Sequence, residues 1–533
     1  MKHNQPTEGR FRRLWHFHGG LHLPPKKAMS TSAPVLTAKV PPILTLPLTQ
    51  HIGAPAEPVI KVGDHILKGQ MVAKAKDYVS ASVHAPSSGI VVAIEKRPVP
   101  HPSGLDADCI VIETDGKEQW RWRPDRIDDY TKLDPSELRN RLRQAGVVGL
   151  GGAGFPTFVK MNPGPTGHIE LLVLNGVECE PYISCDDMLM QENPWEIVGG
   201  LQILRHAVQA RECVIAIEGN KPKAFAAMKI AVEALNDPTV HTVMVPAIYP
   251  AGGERQLIKI LTGMEVPSQG FPVDIGVVCQ NVGTAAAACR AVAEREPVIS
   301  RMVTVTGSGV KKPCNVNAFI GTPIEDLVDQ CGGYTDGAHQ LLMGGPLMGI
   351  PLPNDKLPII KTTNCLLVTT TDDLPPRQPA QPCIRCGECV QVCPANLLPQ
   401  QLYWHAFTKD FDKAREYNLF DCIECGCCSH ICPSHIPLVQ YYRYAKSEIW
   451  SRELAKENSL LASRRHDFRV RRLEQDKRER TERLEQKKKA VKNSATGNSD
   501  SSQAVIQAAV DRVKAKQSAH REKSSDQNKT GDG

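Results

Sequence analysis

Between residues 36 and 128, apolar and polar positions alternate in short stretches cut by Gly, Pro and Ser. Val62-Gly63-Asp64-His65-Ile66-Leu67-Lys68-Gly69-Gln70 and His84-Ala85-Pro86-Ser87-Ser88-Gly89-Ile90-Val91 place Gly-Asp and Ser-Gly turn pairs between alternating positions, which predicts a small β-domain. The period lengthens at about 129. There Asp134-Pro135-Ser136-Glu137 supplies an N-cap, a Pro at the first helical position and an acid in the first turn, predicting a helix to about Ala145. Helical and strand patterns then alternate to about 300, with apolar strands expected at 170–175, 213–218, 240–246 and 274–279, the mark of an α/β domain. Residues 301–375 read as a smaller β-rich unit, with a strand at 302–307 and a helix at 323–331. A Pro-rich linker at 374–379 leads into Cys motifs, and beyond 449 the chain is charged and helical to about 492, then rich in Ser, Asn, Gly and Lys, which favours disorder. The reading is a multidomain α/β protein: leader 1–35, β-domain 36–128, α/β domain 129–300, small β-rich domain 301–375, helical Cys-rich domain 376–449 and basic tail 450–533.

Composition sharpens this picture. A chain of 533 residues suits three or four domains, and 41% hydrophobic with 23% charged residues fits a globular protein. The longest apolar runs, such as 171–174 and 366–368, fall far short of the ~20 residues a spanning helix needs, so no bilayer crossing is expected. The first thirty residues carry Arg10, Arg12, Arg13, His16 and His18 without an apolar core, so no secretory signal is expected either. Net charge is +6, yet residues 451–533 hold 21 Lys and Arg against 13 Asp and Glu, leaving the rest slightly acidic. Eighteen Cys under those conditions point to metal ligation rather than disulfides.

Cys383-Ile-Arg-Cys386-Gly-Glu-Cys389-Val-Gln-Val-Cys393-Pro394 follows C-x₂-C-x₂-C-x₃-C-P, and Cys422-Ile-Glu-Cys425-Gly-Cys-Cys428-Ser-His-Ile-Cys432-Pro433 repeats it. Three thiolates at this spacing wrap one corner of a four-iron cluster, while the fourth reaches the other cluster. Expected ligation is Cys383, Cys386 and Cys389 with Cys432, and Cys422, Cys425 and Cys428 with Cys393. Zinc sites, the competing reading, need four ligands in two pairs and have no use for this reciprocal grammar. Cys427 is read as a packed neighbour, and the nine remaining Cys as small buried hydrophobes. Helical periodicity at 397–407 and 411–417 separates the motifs, resembling the α-helical ferredoxin type.

Gly149-Leu150-Gly151-Gly152-Ala153-Gly154-Phe155-Pro156-Thr157 satisfies G-x-G-x-x-G, but a helix precedes it and Pro156 follows, so the ordinary dinucleotide fingerprint is not expected. The glycines still let backbone N–H groups approach a flat ring or a phosphate. Asn175-Gly176-Val177-Glu178-Cys179-Glu180-Pro181 sets an amide and two carboxylates at a carboxyl end of the sheet, where open α/β folds bind ligands. Tyr249-Pro250-Ala251-Gly252-Gly253-Glu254 and Gln280-Asn281-Val282-Gly283-Thr284 have the same character.

Taken in order, these clusters with Lys160 resemble the flavin and NADH site of the complex I flavoprotein family. The resemblance implies that Gly149, Gly151, Lys160, Asn175, Glu178, Gly252 and Asn281 line FMN, with Gly152, Gly154 and Thr284 in the cofactor-binding set, and that Phe155, Glu180, Tyr249 and Glu254 face NADH. The chain departs from that family at Leu150, at Asn175-Gly-Val-Glu178 and at Gln280-Asn281. The β-domain resembles the barrel-sandwich hybrid of lipoyl and biotinyl domains, with Tyr78 and Val79 where a modified Lys would sit, so a structural module is expected. Together with Phe17-His18-Gly19-Gly20-Leu21-His22-Leu23-Pro24 and Leu342-Met343-Gly344-Gly345-Pro346-Leu347-Met348-Gly349, these features resemble the C subunits of Rnf (Rsx) ion-translocating electron-transport complexes. That family implies a β-grasp unit over 301–350, a peripheral position on the cytoplasmic face of a bacterial inner membrane, and electron flow from NADH through FMN and two 4Fe-4S clusters to membrane-embedded and Fe–S partner subunits. A soluble NADH dehydrogenase or diaphorase subunit, and a non-enzymatic Fe–S relay adaptor, are the competing readings. The basic tail is expected to meet an anionic leaflet or an acidic partner rather than nucleic acid, since no aromatic stacking platform accompanies its charge.

Overall fold

Four aliphatic strands form the centre of the α/β domain: Leu171–Gly176, Glu212–Glu218, Val240–Val245 and Val277–Asn281. They pair in parallel in the spatial order third, second, first, fourth. The computed structural model describes residues 13–121, 129–164, 167–374, 378–495 and 502–526; residues 1–12 of the leader, 375–377 of the linker, and 496–501 and 527–533 of the tail lie outside this set. The fourth strand starts three residues later than its pattern suggests because Pro272–Ile275 forms a 3₁₀ turn first. Near-continuous burial of the first, second and fourth strands matches a sheet covered on both faces, while the third, at the edge, is only partly buried. Helices Pro194–Val208 and Val282–Cys289 cross so closely that a Cβ on Gly200 would lie 1.8 Å from the Ala285 carbonyl oxygen. The strand order reverses between the first and fourth strands, where Asn175 stands in register with Asn281.

The N-terminal β-domain consists of two facing antiparallel sheets. One runs Ile43–Pro47, Asp106–Thr114, Gly89–Pro98 and His65–Ile66, the other Glu57–Pro58, Met71–Lys74 and Val83–His84. Leu36–Thr37 joins neither; it pairs with Cys314–Phe319 at the edge of the six-stranded sheet of the small domain. That sheet also holds Ser300–Thr306 and Cys365–Thr369, with helix Ile324–Gln330 covering its core. In the Cys-rich domain, helices Pro399–Phe407 and Phe411–Glu416 separate the two motifs as the periodicity predicts.

The chain divides into two units, 1–446 and 447–533. Helix Leu438–Ala495 begins in the first and continues through the charged segment, where every residue from 454 to 493 is exposed. Beyond 492 the expectation of disorder is corrected by helix Ser502–Asp526. Its Ala, Gln, Lys and Arg content favours helix, a local propensity that the Ser, Asn and Gly around it obscured. Among the described residues no helix is long and apolar enough to cross a membrane.

Candidate redox site

Open α/β sheets bind ligands where the strand order reverses, because adjacent loops diverge there and leave a crevice. The glycine loop reaches this crevice. Val148 bridges Pro156, Gly149 N–H donates to the Phe155 carbonyl at 2.8 Å and Gly154 N–H to the Gly149 carbonyl at 3.1 Å, closing a tight loop. Gly151 sits against Asn281, where a Cβ would come within 3.3 Å of the amide. Gly152 has φ +109 and only Asn364 within 4 Å of a Cβ, so its backbone borders open space.

Asn175 donates to the Gly252 carbonyl at 2.8 Å, fastening the Tyr249–Glu254 loop to the sheet. Gly252 passes so near the Val177 carbonyl that a Cβ would stand 2.1 Å from it. Lys160 is paired with Glu254, and Asn281 both caps helix Val282–Cys289 through Gly283 and donates to Asp186 at 2.6 Å. The Thr284 hydroxyl accepts from Leu150 N–H at 2.9 Å, so it holds the glycine loop. Gly149, Gly151, Gly154, Lys160, Asn175, Gly252, Glu254, Asn281 and Thr284 are thus brought into one region, together with Glu178 on the same strand end. Phe155 lies at the end of the loop and Gly154 backs onto Thr362 and His51.

Two expected nucleotide contacts are engaged elsewhere. The Tyr249 ring is buried, and its hydroxyl donates to the Cys425 carbonyl at 2.6 Å. Burial, with Glu180 nearby, pushes its phenol well above its ordinary range. The Glu180 carboxylate accepts from Leu347 N–H at 2.6 Å and Met348 N–H at 3.1 Å, holding the Gly-Gly-Pro-Leu-Met-Gly turn; burial raises its pKa and these two donors oppose the rise. Both side chains bridge domains because the loops that carry them are also the surfaces onto which later segments fold.

Several buried cations escaped the sequence reading. Lys221 donates to the Glu218 carboxylate at 2.6 Å and to the Glu178 carbonyl at 3.1 Å. Lys27 donates to the carbonyls of Glu178 and Glu180 at 2.7 and 2.9 Å and to that of Ile183. Arg301, 4% exposed, donates to the Leu150 carbonyl at 2.9 Å and to that of Lys361. No spacing signal distinguishes such residues, since Lys and Arg usually stand at the surface. A cavity of about 280 Å³ adjoins the crevice, lined by Leu150, Asp186, Gly283, Arg301 and Asn317 among others.

The fit to a flavin nucleotide rests on a glycine backbone beside open space at Gly152, a cation at Lys160, and the loops that the Asn175 and Asn281 amides hold around them. Glu178 Oε2 is buried without a hydrogen-bond partner among the described residues, with Lys27 Nζ 4.0 Å away.

The Cys-rich domain holds two hollows. One is lined by Cys393, Cys422, Cys425 and Cys428 with Leu397 and Leu402. The other is lined by Cys383, Cys386, Cys389 and Cys432 with Tyr403 and Ile436. Four sulfurs in an otherwise largely apolar hollow are the donor set of a four-iron cluster. Cys427 lines neither hollow; it is buried with Tyr249 and Cys425. The first hollow meets the α/β domain through Tyr249, whereas Cys386 of the second is exposed.

Comparison with known proteins matches four family descriptions in chain order. They are the RnfC barrel sandwich hybrid domain (residues 15–117), the Nuo51 FMN-binding domain (142–290), the SLBB domain (302–351) and the 4Fe-4S dicluster domain (382–436). The C subunit of the ion-translocating oxidoreductase complex of Serratia proteamaculans is 46% identical over 504 residues, covering 95% of this chain and 70% of that protein. Its counterpart in Pseudomonas aeruginosa is 50% identical over 434 residues (81% and 55%), and that of Vibrio cholerae 45% over 506 (94% and 64%). The chain therefore spans only 55% to 70% of the length of these relatives. An FMN-binding domain followed by a dicluster domain, inside a match to the Serratia protein over nearly the whole sequence, leaves one conclusion: the chain belongs to the family of C subunits of ion-translocating oxidoreductase complexes.

Proposed function

We propose that the protein oxidises NADH at FMN held in the crevice and delivers electrons through two four-iron clusters to membrane-embedded and Fe–S partner subunits, as a peripheral subunit on the cytoplasmic face of a bacterial inner membrane. The observation that carries this reading is the Tyr249–Cys425 hydrogen bond: the same loop that borders the crevice touches one four-cysteine hollow, and the second hollow opens to solvent at Cys386. A flavin exchanges hydride pairs and single electrons, which is the chemistry needed between a nicotinamide and four-iron clusters.

The chain's part is to bind, orient and exclude water. Gly151 and Gly152 bring backbone N–H groups to the nucleotide, Gly149 and Gly154 close the loop that presents them, and Asn175, Glu178, Gly252, Asn281 and Thr284 fix the loops around it. Lys160, now paired with Glu254, is the cation available to an incoming phosphate, and Glu254 is then released to recognise NADH. Cys383, Cys386, Cys389 and Cys432 hold one cluster, and Cys393, Cys422, Cys425 and Cys428 the other. No side chain has to act as nucleophile or general base.

Purified under anaerobic conditions, the full chain should contain FMN and two four-iron clusters, and NADH should bleach the flavin band and then reduce the clusters. Clusters without flavin would overturn the enzyme reading in favour of a relay adaptor.

A further inference from the structure

The leader, for which no role was read from sequence, crosses the seam between the crevice loops and the Cys393 turn. Trp15 N–H donates to the Ile260 carbonyl at 2.9 Å, on the α/β domain. His18 Nδ1 lies 2.8 Å from the Cys393 carbonyl, and Gly20 N–H donates to the Val392 carbonyl at 3.0 Å. Leu21 then exchanges backbone hydrogen bonds with Tyr249, 2.7 and 2.9 Å long. Further on, Tyr182 N–H donates to the Pro25 carbonyl, and Lys27 gathers the Glu178, Glu180 and Ile183 carbonyls. The Ser30 hydroxyl, 2.7 Å from that of Ser184, and its carbonyl, which accepts from Asn315, tie the end of the segment to the α/β and small domains.

Two glycines make the passage possible. At Gly19 (φ +67) a Cβ would stand 2.5 Å from the Val392 carbonyl carbon, and at Gly20 (φ +91) 2.8 Å from the Tyr249 carbonyl oxygen. The segment is therefore wedged between the turn that carries Cys393 and the loop that carries Tyr249, with no space for a side chain on either glycine. Leu21 and Leu23 pack beside Tyr249, Cys425 and Cys427. Phe17 packs on the core of the α/β domain and Met29 on the cluster around Tyr182 and Leu367, but the hydrogen bonds of the segment fall on loop backbone around the site. Lys27 makes the point most sharply: a buried ammonium whose hydrogen bonds all run to the carbonyls of one loop orders that loop.

We propose that residues 15–31 form a positioning strap that locks the crevice loops and the Cys393 turn into one arrangement, with His18, Gly19, Gly20 and Lys27 as its fastening points. The strap rests on the function proposed above, because its purpose is to keep the flavin site and the nearer cluster at a fixed separation. Transfer between held groups is lost steeply when they are misplaced.

The test uses the full flavin- and cluster-loaded chain with His18→Ala, which adds no bulk, and Gly19→Ala, which drives a Cβ into the Val392 backbone. Amide hydrogen exchange at 392–395 and 249–252 should rise about tenfold in both variants, with the central strands unchanged. The dithionite-reduced EPR signal of one cluster should change and the other stay. Cluster reduction after NADH mixing should slow on the order of tenfold while flavin bleaching keeps its rate. Wild-type exchange at both seam segments in both variants would overturn the strap. A wild-type chain whose flavin NADH does not bleach would instead remove the proposed function, and the exchange result would still decide the strap.

Discussion

Lys361 is fully buried, and among the described residues its Nζ donates only to the Ser82 and Gly146 carbonyls, each at 2.7 Å; burial pushes its pKa down to about 7. It stands between the β-domain and the start of the glycine loop. In the unfolded chain its proton is held to about pH 10.4, so between about 7 and that value the unfolded state binds more protons and stability rises with pH. The expected gain is up to ~1.4 kcal/mol per pH unit, fully withheld below pH 7. Lys361→Met should abolish that slope; denaturant unfolding of both chains over a pH series checks this, and parallel slopes would refute it. Glu254 sits in a partly exposed pair with Lys160, so Glu254→Gln should alter stability by less than about 1 kcal/mol. It should impair NADH oxidation more than flavin content, and unchanged kinetics would remove Glu254 from the site. Glu254 was legible because it belongs to a motif; Lys361, Lys27 and Arg301 were not, because burial of a cation depends on which carbonyls the folded chain brings to it.

The cysteine elements show the opposite case. The reciprocal grouping of the cysteines could be read from spacing because three of each set lie within seven residues and the fourth leaves through a turn ended by Pro. The two hollows gather the same two sets. Cys389→Ser and Cys432→Ser should each damage the more exposed cluster and spare the other. Site-resolved EPR in which Cys432→Ser strikes the Cys422 set would sink that assignment. The four central strands were likewise legible from their aliphatic runs, whereas Leu36–Thr37 was not: two residues have no period, and only the edge of the small domain's sheet gives them a partner. Helix Ser502–Asp526 was missed because a compositional reading averages helix formers with the breakers around them.

For the whole molecule, the split at residue 446 places the flavin and cluster residues in one unit and the basic tail in the other. Deleting 451–533 should leave both clusters and NADH-dependent flavin reduction intact. Attachment to membranes or to the partner complex should weaken in a salt-sensitive way, since each Lys or Arg near an anionic leaflet contributes around 1 kcal/mol before its acidic neighbours are discounted. Vesicle and complex sedimentation across a salt series checks this. Loss of clusters on truncation would make the tail part of the fold, and salt-independent attachment would refute the electrostatic account.

By itself the sequence determined the domain order, the parallel strands, the two cluster motifs and the loops that meet at Asn175 and Asn281. Each depends on local periodicity or on ligands a few residues apart. The tertiary structure alone decided that Tyr249 reaches Cys425, that Glu180 holds the turn at Leu347, and that a leader without any chemical motif runs between cluster and crevice. Those contacts join residues more than a hundred positions apart through backbone carbonyls and N–H groups, which nearly every residue carries and no pattern of side chains can announce.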